Sequence, residues 1–217
     1  MNNIKDYRKD ELRAYVIGNI LVGMYVYGWF TLETMNDNAW IALLDSAIVS
    51  TFLYIFVYML DTLISADWKD KLVYLFTGRP GDTIFTRIKE KDIDSCFTKE
   101  QAQVKYADIY AEIDKLSCTK EKQKYENSQW YGLYKKHENE GTVFVAQRDF
   151  LLNRDMSFMT LNMLFIYLVV SLLFGAIAFS WKVLVFLIME FVVTNLAARG
   201  RAGKFARNVI AADIWEK

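Results

Sequence analysis

The chain has 217 residues, 53% of them hydrophobic and 24% charged, and its 26 basic side chains balance 26 acidic ones. Zero net charge excludes a general pull toward nucleic acid or anionic lipid, so any such attraction has to come from a local patch. Long charge-free apolar runs lie toward both ends and most charges lie in the middle and the tails, which points to a membrane protein with one small soluble module.

A helix needs roughly 20 predominantly apolar residues, rising about 1.5 Å each, to cross about 30 Å of hydrocarbon. After a tail over residues 1–13, four stretches meet or approach that length: residues 14–31, 40–65, 158–179 and 183–198. Trp29, Phe30, Trp40, Trp68 and Trp181 fall where an interfacial aromatic belt would put them. Basic residues set the orientation. Lys5, Arg8, Lys9 and Arg13 precede the first span, and Lys69, Lys71 and Arg79 follow the second. Arg148 and Arg154 precede the third, and Arg199, Arg201, Lys204 and Arg207 follow the fourth. The link at 32–39 has Glu33 and Asp37 and no basic residue, and the turn between the last two spans holds only Lys182. By the positive-inside rule both termini and the middle segment are expected in the cytoplasm. The first run lacks a small-residue cleavage site, so it reads as a span and not as a cleaved signal.

The expected fold class is therefore an all-α membrane protein. One hairpin of spans covers 14–65 and a second covers 157–198. They flank a small, mainly helical cytoplasmic module over 66–156, and a basic cytoplasmic tail follows over 199–217.

Within the module, Trp68, Leu72, Leu75 and Phe76 recur at helical spacing, with Lys69, Asp70 and Lys71 on the other face. This predicts an amphipathic helix running along the inner membrane surface. Gly78-Arg79-Pro80-Gly81-Asp82 reads as a tight turn. Alternation over 83–88 predicts a short strand, and 142–145 a second extended piece. Thr98 with Gln101 three residues on has capping-box spacing, and the helix after it places Ala102, Tyr106, Ile109, Tyr110, Ile113 and Leu116 on one face. A further helix starts near Thr119, carries Tyr125, Trp130, Leu133 and Tyr134, and ends by Gly141.

Cys96 and Cys118 lack CxxC spacing and are expected as free thiols in a reducing compartment. His137 is the sole histidine, set among Lys135, Lys136, Glu138 and Glu140, and reads as part of an exposed helix face. No metal site and no cofactor are expected. A phosphate loop, a GxSxG elbow and HExxH are all missing from the sequence, so no catalytic residue is assigned.

An ionisable group inside the membrane costs at least about 2.5 kcal/mol and marks a functional site by default. Glu190 lies near the midpoint of the fourth span, with Thr194, Ala197 and Arg201 on its helical face. It either lines a pore or ties its helix to Asn19 or Asn162 of a neighbour. In the second span Ser50, Thr51, Tyr54, Tyr58 and Asp61 share one arc, with Asp61 near the inner boundary, and Asp45 points the other way toward a subunit contact. In the module, aromatics interleave with lysines. Tyr106, Lys122, Lys124, Trp130 and Tyr134 are candidates for binding a nucleotide or oligonucleotide. The same aromatics also fit a plain helical core.

This layout of spans and module resembles the small four-helix membrane effectors and sensors of bacterial antiphage defence. The resemblance lies in the architecture of the whole chain and carries no site residue over. It implies a bacterial inner membrane, a cytoplasmic module that perceives a nucleotide signal or partner protein, and a membrane part that permeabilises. Four helices cannot enclose a water-filled path alone, so a channel of this kind implies a homo-oligomer, most simply a tetramer. The other expectations open at this point are a non-conducting membrane-anchored scaffold or chaperone and a small-solute transporter.

Overall fold

The computed structural model describes residues 4–28, 34–74 and 78–216, with side chains placed over 9–28, 47–74 and 78–216. The expected belt residues Trp29 and Phe30, Glu33 of the acidic link, and Leu75 and Phe76 lie outside the described residues, as do the side chains of Asp37, Trp40 and Asp45.

Among the described residues the chain is all-helical, with no strand. In order come α1 (Ile4–Tyr27), α2 (Thr34–Leu63), α3 (Ala66–Val73), a 3₁₀ turn at Pro80–Asp82, α4 (Ile84–Glu90), α5 (Lys99–Lys105), α6 (Ala107–Lys115), α7 (Thr119–His137), α8 (Gly141–Leu168) and α9 (Trp181–Trp215). A π-helical turn, Val169–Leu173, extends α8. Gly28 closes α1 at φ +87° and Gly175 follows the π turn at φ +60°, both in the region that favours glycine.

Gly141–Leu173 and Trp181–Trp215 are each long and apolar enough to cross a membrane. A third candidate is the bent pair Ala47–Leu63 and Ala66–Val73, which turns by 97° at its break. The helical class stands, and two of the four expected spans are matched by helices of sufficient length and apolarity.

The chain divides into two compact units: residues 1–73 with 152–198, and residues 74–151 with 199–217. Residues 199–217, expected as a tail, belong to the second unit. In unit 1 one stripe of α1, Leu12, Val16, Ile20 and Met24, packs with Val57 of α2, Met159, Met163 and Tyr167 of α8, and Val183 and Leu187 of α9. The spacing of four along α1 and α8 gives each helix a single ridge. Other apolar side chains of this unit face outward: Phe52 of α2 is 70% exposed, Phe165 of α8 62% and Val193 of α9 63%. Water penalises such a surface, whereas hydrocarbon accepts it.

Unit 2 hides most of its apolar residues, with Val104 and Trp215 among the exceptions. Phe85 is fully buried, edge-on to Tyr106 at 5.3 Å and to Tyr110 at 6.3 Å, and Ala206 and Ile210 of α9 complete that cluster. A second cluster joins Val143, Ala146 and Phe150 of α8 to Ala202, Phe205 and Val209 of α9.

The Thr98 capping box is present, with the Gln101 N–H donating to Thr98 Oγ1 and the Thr98 N–H to Gln101 Oε1 at 2.9 Å. Three local expectations change. Residues 84–90 form helix α4 instead of a strand, because Ile84, Phe85 and Ile88 also share one helical face and all three are buried. Residues 142–145 are the first turn of α8. On α3 it is Lys69 and Val73 that are buried, while Trp68 is 64% exposed.

The start of α4 is held from another helix. Thr83 makes no side-chain cap. Glu126 of α7, 1% exposed, instead accepts the N–H groups of Phe85 (2.9 Å) and Thr86 (3.1 Å), together with the Thr86 hydroxyl. Glu126→Ala would strand those donors in a buried site. Unit 2 should lose about 2–3 kcal/mol, measured as a lower thermal midpoint in detergent; an unchanged midpoint would show that water replaces the carboxylate.

Candidate functional site

Each unit carries one dense group of polar side chains. In unit 1 it centres on Glu190, on the face of α9 turned toward α1. Tyr15 and Asn19, one turn apart on α1, lie within hydrogen-bonding reach of its carboxyl. The Tyr15 hydroxyl also meets Thr160 Oγ1 of α8 at 2.6 Å and lies within reach of Thr194. Asn19 Nδ2 donates to the Tyr15 carbonyl at 3.0 Å, and the Thr194 hydroxyl donates to the Glu190 carbonyl at 2.8 Å. Among the described residues, Glu190 Oε2 and Asn162 Nδ2 are buried with no hydrogen-bond partner.

Further polar groups follow along α8 and α9. Asn195 Nδ2 lies 3.5 Å from Ser157 Oγ and from the Leu72 carbonyl oxygen. Beyond Ser157 comes a charged group. Lys69 pairs with Asp61 at 2.7 Å and lies 3.9 Å from Asp155. Arg154 pairs with Asp155 at 3.0 Å and with Asp70 at 2.9 Å. On the other side of Glu190 is an apolar cavity of about 270 Å³, lined by Asn19, Met24, Val57, Met163, Tyr167 and Leu187 among others. Glu190 therefore lies between a series of polar side chains and an almost wholly apolar chamber.

The sequence candidates divide accordingly. Glu190 and Thr194 are together, and of the two partners foreseen for Glu190 it is Asn19 that lies within reach, joined by Tyr15 and Thr160, while Asn162 Nδ2 has no partner among the described residues. Tyr54 and Tyr58 lie with ring centroids 6.0 Å apart, and the Arg13 guanidinium is 6.0 Å from the Tyr54 ring. Asp61, expected to be water-exposed at the inner boundary, is mostly buried and ion-paired. The signal missed there was Lys69, eight residues on and on the far side of the bend.

In unit 2 the candidate ligand-binding aromatics are committed to the core. Tyr106 is 5% exposed, and Trp130 stacks on Tyr134 at 5.9 Å while donating Nε1–H to the Ala206 carbonyl at 3.2 Å. The Tyr134 hydroxyl accepts from Gln147 at 2.7 Å. Lys122 is half-buried and Lys124 exposed on α7.

His137 is the clearest correction, being 2% exposed and not part of a solvated face. Its Nε2 lies 3.0 Å from Asp213 Oδ1 and its Nδ1 bonds to Glu140. Asp213 also accepts from the Tyr106 hydroxyl at 2.8 Å and pairs with Lys105 and Lys136, each at 3.3 Å, and Lys136 bonds to Glu216. The donor atoms of His137, Asp213 and Glu216 lie within 4.8 Å of one another. Lys136 bridges both carboxylates, however, and both ring nitrogens are engaged, so the group is built as an ion-pair network. Protonating His137 sets three cations against three carboxylates.

Burial lowers the His137 pKa, but its bonds to Glu140 and Asp213 outweigh that and raise it above 6.5. Burial raises the Asp213 carboxyl, yet hydrogen bonds from His137, Tyr106 and Lys136 bring it down to about 2.

Comparison with protein-family models, with curated proteins and with solved structures gives no match for this chain. The site's role therefore rests on its chemistry.

The raised His137 value fixes a pH dependence. Its contribution to stability is complete below 6.5 and is lost as pH rises through the higher folded-state value, whereas that of Asp213 is present above 3.8 and lost only as pH falls toward about 2. The thermal midpoint of unit 2 should fall as pH is raised from 6.5, and His137→Gln should remove that fall. Persistence of the full pH slope in the variant would assign it to another group.

Proposed function

We propose that this chain is a four-span membrane protein, crossing at 14–31, 40–65, 158–179 and 183–198. Both termini and unit 2 lie in the cytoplasm, and the chain conducts small cations past Glu190. One observation carries this reading: the Glu190 carboxyl, with Oε2 buried and unpartnered among the described residues, lies between polar side chains and an apolar cavity. A charged group near the helix centre is costly and is kept where it serves a path or a proton relay. The charged group at Asp61, Lys69, Asp70, Arg154 and Asp155 is the entry, Ser157, Asn195 and Thr160 lead inward, and the apolar cavity is a hydrophobic gate that conducts when wetted.

Unit 2 is the sensing part, answering a nucleotide, an oligonucleotide or a partner protein. The outward apolar faces of α2 and α9 suit a homo-oligomer, most simply a tetramer, whose neighbouring chains close off the path that four helices alone cannot, each chain contributing its own Glu190. The resemblance to antiphage effectors gives the setting: a bacterial inner membrane and permeabilisation that halts growth.

The contacts of Glu190 with Tyr15 and Asn19 also support a second reading, a non-conducting membrane scaffold in which the carboxyl ties α9 to α1. Such a bond is worth about 0.6–2 kcal/mol.

Liposome flux separates the two. Glu190→Gln should preserve folding and cut cation flux about tenfold or more, equivalent to about 1.4 kcal/mol of barrier. A wild-type protein that carries no current, with Glu190→Leu merely less stable, would establish the scaffold. Orientation is tested on the exposed native thiols Cys96 and Cys118. An impermeant maleimide should label them only after cells are permeabilised; labelling on intact cells would place unit 2 outside.

A further inference from the structure

Unit 2 has a polar cleft of about 320 Å³ that neither the sensing role nor the His137 network uses. Its walls are the first three turns of α8, with Thr142 and Asp149, and one face of α9, with Arg201, Lys204 and Asn208. The last three fall at i, i+3 and i+7, so they form one helical edge. Asp149 is the acidic residue of the lining, and it is neutralised by Arg148 at 3.0 Å and Arg201 at 3.2 Å. Lys204 is exposed and has no carboxylate partner among the described residues. Asn208 Nδ2 donates to the Thr142 carbonyl at 3.2 Å, which joins the two walls. The first turn of α8 carries no acidic residue.

Arg201, Lys204 and the Thr142 hydroxyl are donors around a small space with a net positive surround, which suits a phosphoryl group. No aromatic ring lines the cleft, so it offers no platform on which a nucleobase could stack. The place of the cleft in the chain names the source of the phosphate. Arg201 and Lys204 follow Ala198, the last residue of the fourth apolar stretch, by three and six residues, or about 4.5 and 9 Å of helix. The headgroup layer of one leaflet is about 5–7 Å thick, so Arg201 falls within it and Lys204, about 2 Å beyond, reaches it with its four-carbon stem. We propose that this cleft binds the phosphate headgroup of an anionic lipid in the leaflet where α9 emerges, an inference that rests on the membrane reading of α9.

The test is lipid retention by the full-length protein in detergent, followed by native mass spectrometry. Phosphatidylglycerol, phosphatidylcholine, inorganic phosphate and adenosine monophosphate are titrated in separate arms. Phosphatidylglycerol should bind at one saturable site per chain and phosphatidylcholine should not. Lys204→Gln should weaken that binding roughly fivefold, the effect of one basic group at an anionic surface. Lys91→Gln, which removes an exposed lysine outside the cleft, should leave it unchanged.

Equal loss in both variants, or equal retention of the two lipids, would overturn the site. Saturable binding of inorganic phosphate or adenosine monophosphate at lower concentration than lipid, lost in Lys204→Gln, would overturn the lipid source. Alkaline carbonate extraction of native membranes keeps the two questions apart. A protein that resists extraction but shows no lipid preference refutes only the cleft assignment, and one that is extracted refutes the membrane reading.

Discussion

A helix whose outer face is apolar can place its polar side chains in one direction only, toward its neighbours. That constraint organises unit 1. Tyr15 finds Thr160, Asn195 lies near Ser157, Lys69 finds Asp61, and Arg154 finds Asp70 and Asp155. The Tyr167 hydroxyl accepts from the Ser180 N–H at 2.6 Å, and the Tyr27 hydroxyl accepts from the Ala178 N–H at 3.0 Å. All of these links except Arg154–Asp155 join different elements, so the polar residues fix which helices are neighbours while the apolar ridges fix how closely they pack. Among the described residues of unit 1 this pairing is left incomplete at Glu190 Oε2 and Asn162 Nδ2, and Glu190 is the ionisable one of the two.

Unit 2 obeys the opposite rule. Most of its apolar residues face inward, and two buried carboxylates do the positioning. Glu126 collects three donors from the start of α4, and Asp213 collects donors from α5, α7 and the Tyr106 hydroxyl. A buried carboxylate is tolerable only when its oxygens are well supplied with donors, and both are. Because each carboxylate is bound by several donors from different parts of the chain, they specify the helix arrangement more narrowly than apolar packing alone would.

What the sequence disclosed was local. The Thr98–Gln101 box and the helix start near Thr119 depend on residues within a few positions of one another and appear as expected, whereas the single helix expected after Thr98 is two, α5 and α6, meeting at Tyr106, with Tyr106, Tyr110 and Ile113 all buried. The errors came from distant partners. Over 83–88 a six-residue pattern fits both a strand and a helix, and the deciding cap comes from Glu126, about forty residues later. His137 looked solvated because its sequence neighbours are charged, while the residue that buries it is 76 positions away. Glu190 was visible as a carboxylate in an apolar run and Asn19 as a partner for it. The roles of Tyr15 and Thr160 were not, since neither stands out on its own helix.

Unit 2 is discontinuous in the chain, and this has a consequence for biosynthesis. Its core needs Ala202, Phe205, Ala206, Val209, Ile210 and Asp213, which leave the ribosome only after both long apolar helices have been made. Until then Phe85, Tyr106 and Trp130 have no α9 to pack against, and the first part of the unit waits as an incomplete core. Completion of this unit therefore reports that the last apolar helix has been synthesised. A chain stalled or cut before residue 199 would expose that open core to chaperones and proteases instead of yielding a half-working product.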